Sequence, residues 1–161
     1  MEVRRLRPDE WRAFREIRLR ALADSPDAFG ATLDDASGRT DVEWQTRAEQ
    51  SDGAIFVVDG ADDFVAMASG GPAPNVPDTA AVFGMWVDPS ARRRGLGGAL
   101  IEAVKAWAIA EGYPRLGLGV TTTNAPAIAL YERLGFVDTG DRYPLREGTD
   151  LVIQIMGMQL S

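Results

Sequence analysis

Between Thr79 and Ala108 the chain reads as one strand feeding directly into one long helix, and no other stretch restricts the fold of its 161 residues as much. Thr79 to Val87 is an apolar run stopped by Asp88-Pro89, because proline cannot donate to a sheet ladder. Leu96, Ala99, Leu100, Ala103, Val104, Trp107 and Ala108 then recur at the i, i+3, i+4, i+7 spacing of a helix with one buried face. Gly112 marks the end of that helix, and Leu116 to Val120 reads as the next strand. A helix between two strands is a crossover. The Thr79 and Leu116 strands are therefore expected side by side and parallel.

The flanking segments fill out a mixed sheet. Val3 to Arg7 reads as a short strand, and Pro8-Asp9 opens a helix with Trp11, Phe14, Ile17, Ala21 and Leu22 on one face, ending near Asp24-Ser25-Pro26. Asp27 to Ser51 is patterned weakly, with a helix expected over Val42 to Glu49 and irregular chain before it. Ala54 to Val58 and Phe64 to Ser69 form a hairpin, followed by a Gly- and Pro-rich loop over Gly70 to Pro77. A short helix over Pro126 to Leu134 and strands around Phe136 to Tyr143 and Leu151 to Met158 complete the chain. This order predicts an α/β (α+β) fold, a mixed sheet of about six or seven strands flanked by about four helices in a single domain over residues 1–161.

Composition removes several chemistries. Cys and His are both 0, so a disulfide framework, a thiol nucleophile, a Ser-His-Asp triad and a Cys/His zinc site are excluded, and no metal is expected. A proton acceptor must be a carboxylate, Tyr, the lone Lys105 or water. The net charge of -7 argues against a nucleic-acid partner. No run approaches the length of a membrane span and no signal peptide is apparent, so a cytoplasmic location without a membrane partner is expected. Residues 21–90 hold thirteen acids against two arginines; this stretch is either a solvated surface or an attractor for a cationic substrate.

The loop after the Thr79 strand, Arg92-Arg93-Arg94-Gly95-Leu96-Gly97-Gly98, lies where the helical stripe begins. Unpaired N–H groups and the helix dipole make such a position an anion site, and glycines let phosphate oxygens reach the backbone. Three arginines add charge-assisted contacts. By itself the loop is either an anion site of the kind nucleotide folds share or, less in keeping with its make-up, a basic surface turn. No Gly-Lys-Ser/Thr and no G-x-G-x-x-G after a strand occurs, which disfavours P-loops and dinucleotide folds.

Val87-Asp88-Pro89-x-x-Arg92-x-x-Gly95-x-Gly97 closely resembles the acetyl-CoA loop of the GCN5-related N-acetyltransferase (GNAT) superfamily. A second segment, Asn124-x-x-Ala127-x-x-x-Tyr131-x-x-x-Gly135-Phe136, is similar to that superfamily's Asn…Tyr…Gly-Phe signature at every named position. The resemblance implies acetyl-CoA as cosubstrate and a splayed sheet whose slot holds the pantetheine arm. It places Met85, Trp86 and Val87 on the slot's edge, the pyrophosphate on Arg92, Arg93, Arg94, Gly95, Gly97, Gly98 and Ala99, and Asn124 and Ala127 against the cofactor. Tyr131 is implied as the acid that reprotonates the departing thiolate.

The acceptor implied is a small-molecule or peptide amine, cationic if the acidic stretch steers it, and the resemblance allows a homodimer. The N-terminal helices, the Gly70 to Pro77 loop and the C-terminal hairpin are expected to recognise it. Phe29 and Trp44 are either pocket walls or, more in keeping with their size, core. The base is unassigned: Gly84 and Gly119 stand at the two positions where members of the superfamily carry a Glu. A carboxylate from the acidic stretch between Asp24 and Glu49, water, or an amine already neutral on entry would take its place. Those glycines also keep open a rival reading as an acyl-CoA-binding sensor without turnover.

Overall fold

The computed structural model describes residues 1–160. Seven strands form one sheet in the order β1-β2-β3-β4-β5-β7-β6, with β1 Val3–Arg5, β2 Ala54–Asp59, β3 Phe64–Pro72, β4 Thr79–Val87, β5 Arg115–Thr121, β6 Val137–Pro144 and β7 Val152–Gln159. The helices are α1 Trp11–Asp24, α2 Leu33–Ser37, α3 Asp41–Glu49, α4 Leu96–Ala110 and α5 Ala125–Arg133. The count of strands matches the sequence reading, and there is one helix more than expected. That helix, α2, has only five residues and buries Ala36 alone, too little for a periodic signal.

Two apolar clusters cover the two faces of the sheet. On one face the stripe of α4 packs with β4, β5, Tyr131 and Phe136; on the other, α1, α2 and α3 pack over β2, β3 and the Trp86 ring. The β3 strand runs three residues past the expected Ser69, through Gly70, Gly71 and Pro72. Gly70 belongs there because a Cβ would lie 2.9 Å from the Trp107 ring and Val104 of α4.

The β4–β5 pair is parallel, as a crossover through α4 requires. It is also short. Pairing runs from Thr79/Arg115 to Val82/Leu118 and stops, although β4 continues to Val87 and β5 to Thr121. On its other edge β5 is bonded to β7 along its whole length, from Arg115/Gln159 to Thr121/Ile153, so beyond Val82/Leu118 it is held by β7 alone. The two strands therefore diverge and leave a gap between Phe83–Val87 and Gly119–Thr121.

A bulge re-aims β4 at the mouth of this gap. The β3 register jumps from Met67/Trp86 to Ser69/Phe83, so two residues of β4 oppose one of β3. Gly84 takes the left-handed conformation there (φ 57°), which disfavours any side chain. The extra residue switches the parity of the strand: Ala80 and Val82 pack toward α4, whereas Trp86 packs toward α1–α3 and Met85 and Val87 turn to the α4 side.

Candidate active site

The β4 edge facing the gap has backbone groups to offer. Asp88 N–H donates to Val65 O on β3. Period-two alternation then directs the polar backbone groups of Val87 and Met85 away from β3 and into the gap. Trp86, between them, turns its main chain to β3, where it pairs with Met67, and its ring to the core, 6% exposed, so it presents neither to this edge.

The loop that follows is held by ion pairs reaching far along the sequence. Asp88 accepts from Arg20 Nη2 at 2.8 Å and from Ser90 N–H and Oγ. These contacts, the Arg20 hydrogen bond foremost, hold its carboxyl at about 2. A carboxylate depressed in the fold adds stability above the usual range of about 4, and that stability is lost as pH falls toward 2. Asp88→Asn is therefore expected to lower stability at pH 7 by about 1 kcal/mol, the side chain being partly solvated. The difference should shrink between pH 4 and 2 in urea melts; a difference independent of pH would contradict the assignment.

Arg92 is also committed: its Nε donates to Val87 O at 2.9 Å and its Nη2 to Asp24 Oδ2 at 3.2 Å. The same Asp24 oxygen accepts from Ser25 Oγ and the Trp86 indole, which holds its carboxyl below its ordinary value. Arg93 and Arg94 are exposed and neither is in a salt bridge. Arg93 (φ 66°) and Gly95 (φ 75°) are both left-handed, a backbone habit that forms anion nests. The N–H groups of Leu96, Gly97 and Gly98 have no acceptor within the described residues, which leaves the α4 N-terminus free for an anion.

Three elements converge at Gly97. A Cβ there would lie 3.2 Å from Leu130 Cδ2 of α5 and 3.7 Å from Met85 Cε of β4, while Ala99 is exposed one residue past Gly98. On α5, Asn124 caps the helix, its side chain accepting from Ala127 N–H at 3.3 Å. Tyr131 is 7% exposed and stacks edge-on against Phe136 at 5.9 Å. Its hydroxyl makes no hydrogen bond within the described residues, and burial pushes the phenol up to about 12.

The residues fit acetyl-CoA without adjustment. Free N–H groups at Leu96–Gly98 suit a pyrophosphate, Gly97 and Gly98 leave the approach open, and the Met85 and Val87 main chain can pair with an amide-bearing arm. Among the described residues no acidic cluster could hold a metal ion, and no helix is long and apolar enough to cross a membrane.

Two cavities adjoin the gap. The smaller, about 360 Å³, lies between the end of α1 and the start of α5, against Thr121 and Asn124. The larger, about 380 Å³, is bounded by α1, α3 and the β3–β4 edge. Its walls bear on two alternatives the sequence left open. Of the thirteen acids in 21–90 only Asp52 lines it, while Asp24 and Asp27 line the smaller cavity. Phe29 and Trp44 are core, 5% and 1% exposed, and the C-terminal hairpin contributes no wall. Sequence reasoning missed Arg18, which does line it. Its position on the polar flank of α1 gave no hint.

The sequence profile of the Acetyltransferase (GNAT) family matches residues 5–136, and the chain belongs to that family. Over 89 residues it is 42% identical to the [ribosomal protein bS18]-alanine N-acetyltransferase of Escherichia coli K12, covering 53% of this chain and 60% of the relative. It is 35% identical over 131 residues to the mycothiol acetyltransferase of Salinispora arenicola, 80% of this chain and 40% of the relative. The chain thus spans well under two thirds of either relative. In fold it resembles yncA of Salmonella typhimurium, solved with its cofactor acetyl-CoA, at a TM-score of 0.77 and 22% identity over 100% of this chain and 94% of that one.

Proposed function

We propose that the chain transfers an acetyl group from acetyl-CoA to a primary amine of a small molecule or peptide, by direct attack on the thioester. The observation that carries this reading is the β4–β5 gap opening beside an α4 N-terminus whose first N–H groups are unpaired. Family membership and the named activities of the relatives point the same way.

Acetyl-CoA supplies an acyl group activated as a thioester, and the protein's part is placement. Leu96, Gly97 and Gly98 N–H hold the pyrophosphate, with Arg93 and Arg94 supplying charge. Arg92 fixes the loop to Asp24 and Val87. Met85 and Val87 orient the arm, and Asn124 sets the start of α5 so that Tyr131 faces the sulfur. As the N–C bond forms and the C–S bond breaks, the Tyr131 O–H donates to the sulfur. A phenol at about 12 keeps its proton at neutral pH, while an ordinary thiol ionises near 8.5. Tyr131 therefore stabilises the departing thiolate by hydrogen bonding and keeps its own proton, and the proton lost by the attacking nitrogen ends on the thiol or in solvent.

Neither Gly84 nor Gly119 supplies a base. A Cβ at Gly84 would lie 2.7 Å from Arg18 Nη1, and one at Gly119 2.9 Å from Ile153 Cδ1. The acceptor then reacts as the free amine, favoured by desolvation and by the nearby Arg18 charge. Accordingly, kcat/KM should rise with pH along the acceptor's own titration, and two acceptors of different amine pKa should give midpoints displaced by that difference. A midpoint fixed between pH 5 and 7 for every acceptor would reveal a carboxylate base instead.

Amine-dependent release of CoA thiol, with the N-acetyl product identified by mass spectrometry, tests the function itself. Saturable acetyl-CoA binding without thiol release for any amine would make the chain a sensor.

A further inference from the structure

The larger cavity sets two arginines, Arg18 and Arg47, against a single unpaired carboxylate, Asp52. Arg18 and Arg47 line it together with Phe83 and Gly84 of β4, so it reaches the bulge at the mouth of the gap. Arg4, Arg15, Arg20, Arg92 and Arg142 each pair with a carboxylate; among the described residues no salt bridge joins Arg18, Arg39 or Arg47 to an acid. Their company is aromatic. Arg18 lies 5.0 Å over the Phe29 ring, and Arg39 and Arg47 lie 5.4 and 5.8 Å from the Trp44 ring. Such faces support a cation but leave its N–H donors unused.

Two buried side-chain atoms lack a hydrogen-bond partner among the described residues, Arg18 Nε and Arg39 Nη1, and both belong to this trio. An orphaned buried donor is rare enough to call for an acceptor. The nearby acids do not supply one: Asp52 lines the cavity unpaired, and Glu43, one turn from Arg47, spends Oε1 on the Thr40 cap. Burial, then the charges of Arg47 and Arg39, bring Arg18 down to about 10, so it is still a cation at neutral pH. Gly84 completes the arrangement, since any Cβ there would meet the Arg18 guanidinium.

Resting on the transferase reading above, we propose that the amine acceptor also carries a carboxylate, bound in this cavity by Arg18 and Arg47 with Arg39 behind them. Guanidinium groups match carboxylates bidentately, Phe83 offers an apolar wall for the acceptor's carbon chain, and the amine is left facing the gap.

Kinetics with matched acceptors tests this. Aminocarboxylates of increasing chain length are compared with their neutral amides and with diamines, each rate being referred to free amine. The carboxylate forms should be preferred at least about tenfold in kcat/KM. Arg18→Gln and Arg47→Gln should abolish the preference by raising the acceptor KM while leaving the acetyl-CoA KM unchanged. Arg47 is exposed, so its variant folds even if Arg18→Gln does not. A wild-type preference for amides or diamines, or a preference that survives Arg47→Gln, would overturn the proposal. A turnover-independent arm measures the thermal shift given by glutarate against glutaramide in the presence of CoA. A glutarate shift lost in Arg47→Gln without any turnover supports the anion site and removes the transferase reading. No turnover and no glutarate shift removes both.

Discussion

Gly98→Glu should raise the KM for acetyl-CoA by roughly 100-fold, a loss of about 2.7 kcal/mol, while the protein melts at the same temperature or higher. Gly98 is the third residue of α4, and a Cβ there meets nothing nearer than Leu134 Cδ2 at 3.9 Å. A glutamate fits that space, replaces a poor helix former and complements the helix dipole, each effect adding a few tenths to about 1 kcal/mol of stability. The same carboxylate competes for the N–H groups that would bind pyrophosphate and repels its charge. Stability and binding thus move in opposite directions, which misfolding cannot imitate. Gly97→Trp should also block the site, but its Cβ starts 3.2 Å from Leu130, so part of that loss would come from displacing α5. Parallel melts and acetyl-CoA saturation curves check the pair; an unchanged KM in Gly98→Glu would move the pyrophosphate elsewhere.

Tyr131→Phe should lower kcat by about 100-fold with the KM for acetyl-CoA unaltered. The hydroxyl has no partner within the described residues, so its removal orphans no group, and the ring keeps its packing on Phe136. The hydroxyl is not among the buried side-chain atoms left without a partner, so losing it relieves no desolvation cost and the variant should melt close to the parent. The parent's rate should also show no loss from phenol ionisation below about pH 11, given a phenol at about 12. Steady-state kinetics that left kcat unchanged in Tyr131→Phe would remove its hydroxyl from the reaction.

The parts of the fold legible in the sequence were those set by local pattern. The α4 stripe and the Asp88-Pro89 stop gave the β4–α4 junction, and the crossover rule gave the parallel β4–β5 pair. What escaped depends on contacts between distant residues. Gly84 reads in sequence as a missing Glu, whereas the structure makes it a left-handed bulge residue beside Arg18. Arg92 reads as a phosphate ligand, yet its partner Asp24 is 68 residues away. Arg18 appears as one more charge on a helix flank; only the packing of α1 over Phe29 and β4 turns it into a cavity wall. The β3 extension was hidden because Gly70, Gly71 and Pro72 look like a loop until α4 is laid across them.

The arginine trio also changes how the charge of the chain is understood. Asp24 and Asp27 line the smaller cavity, whereas in the larger one Arg18 and Arg47 face a single carboxylate, Asp52. Under the carboxylate proposal the local field at the bulge, and not the net charge, selects the acceptor.

Seating of acetyl-CoA by backbone at the α4 N-terminus and along β4 is tested most directly by amide resonances. Titrating the ¹⁵N-labelled protein with CoA should shift the Leu96, Gly97 and Gly98 amides together with those of Met85 and Val87. Pantetheine, which lacks the pyrophosphate, should move only the Met85 and Val87 signals. Saturable CoA binding that leaves Leu96 to Gly98 unmoved would contradict the account.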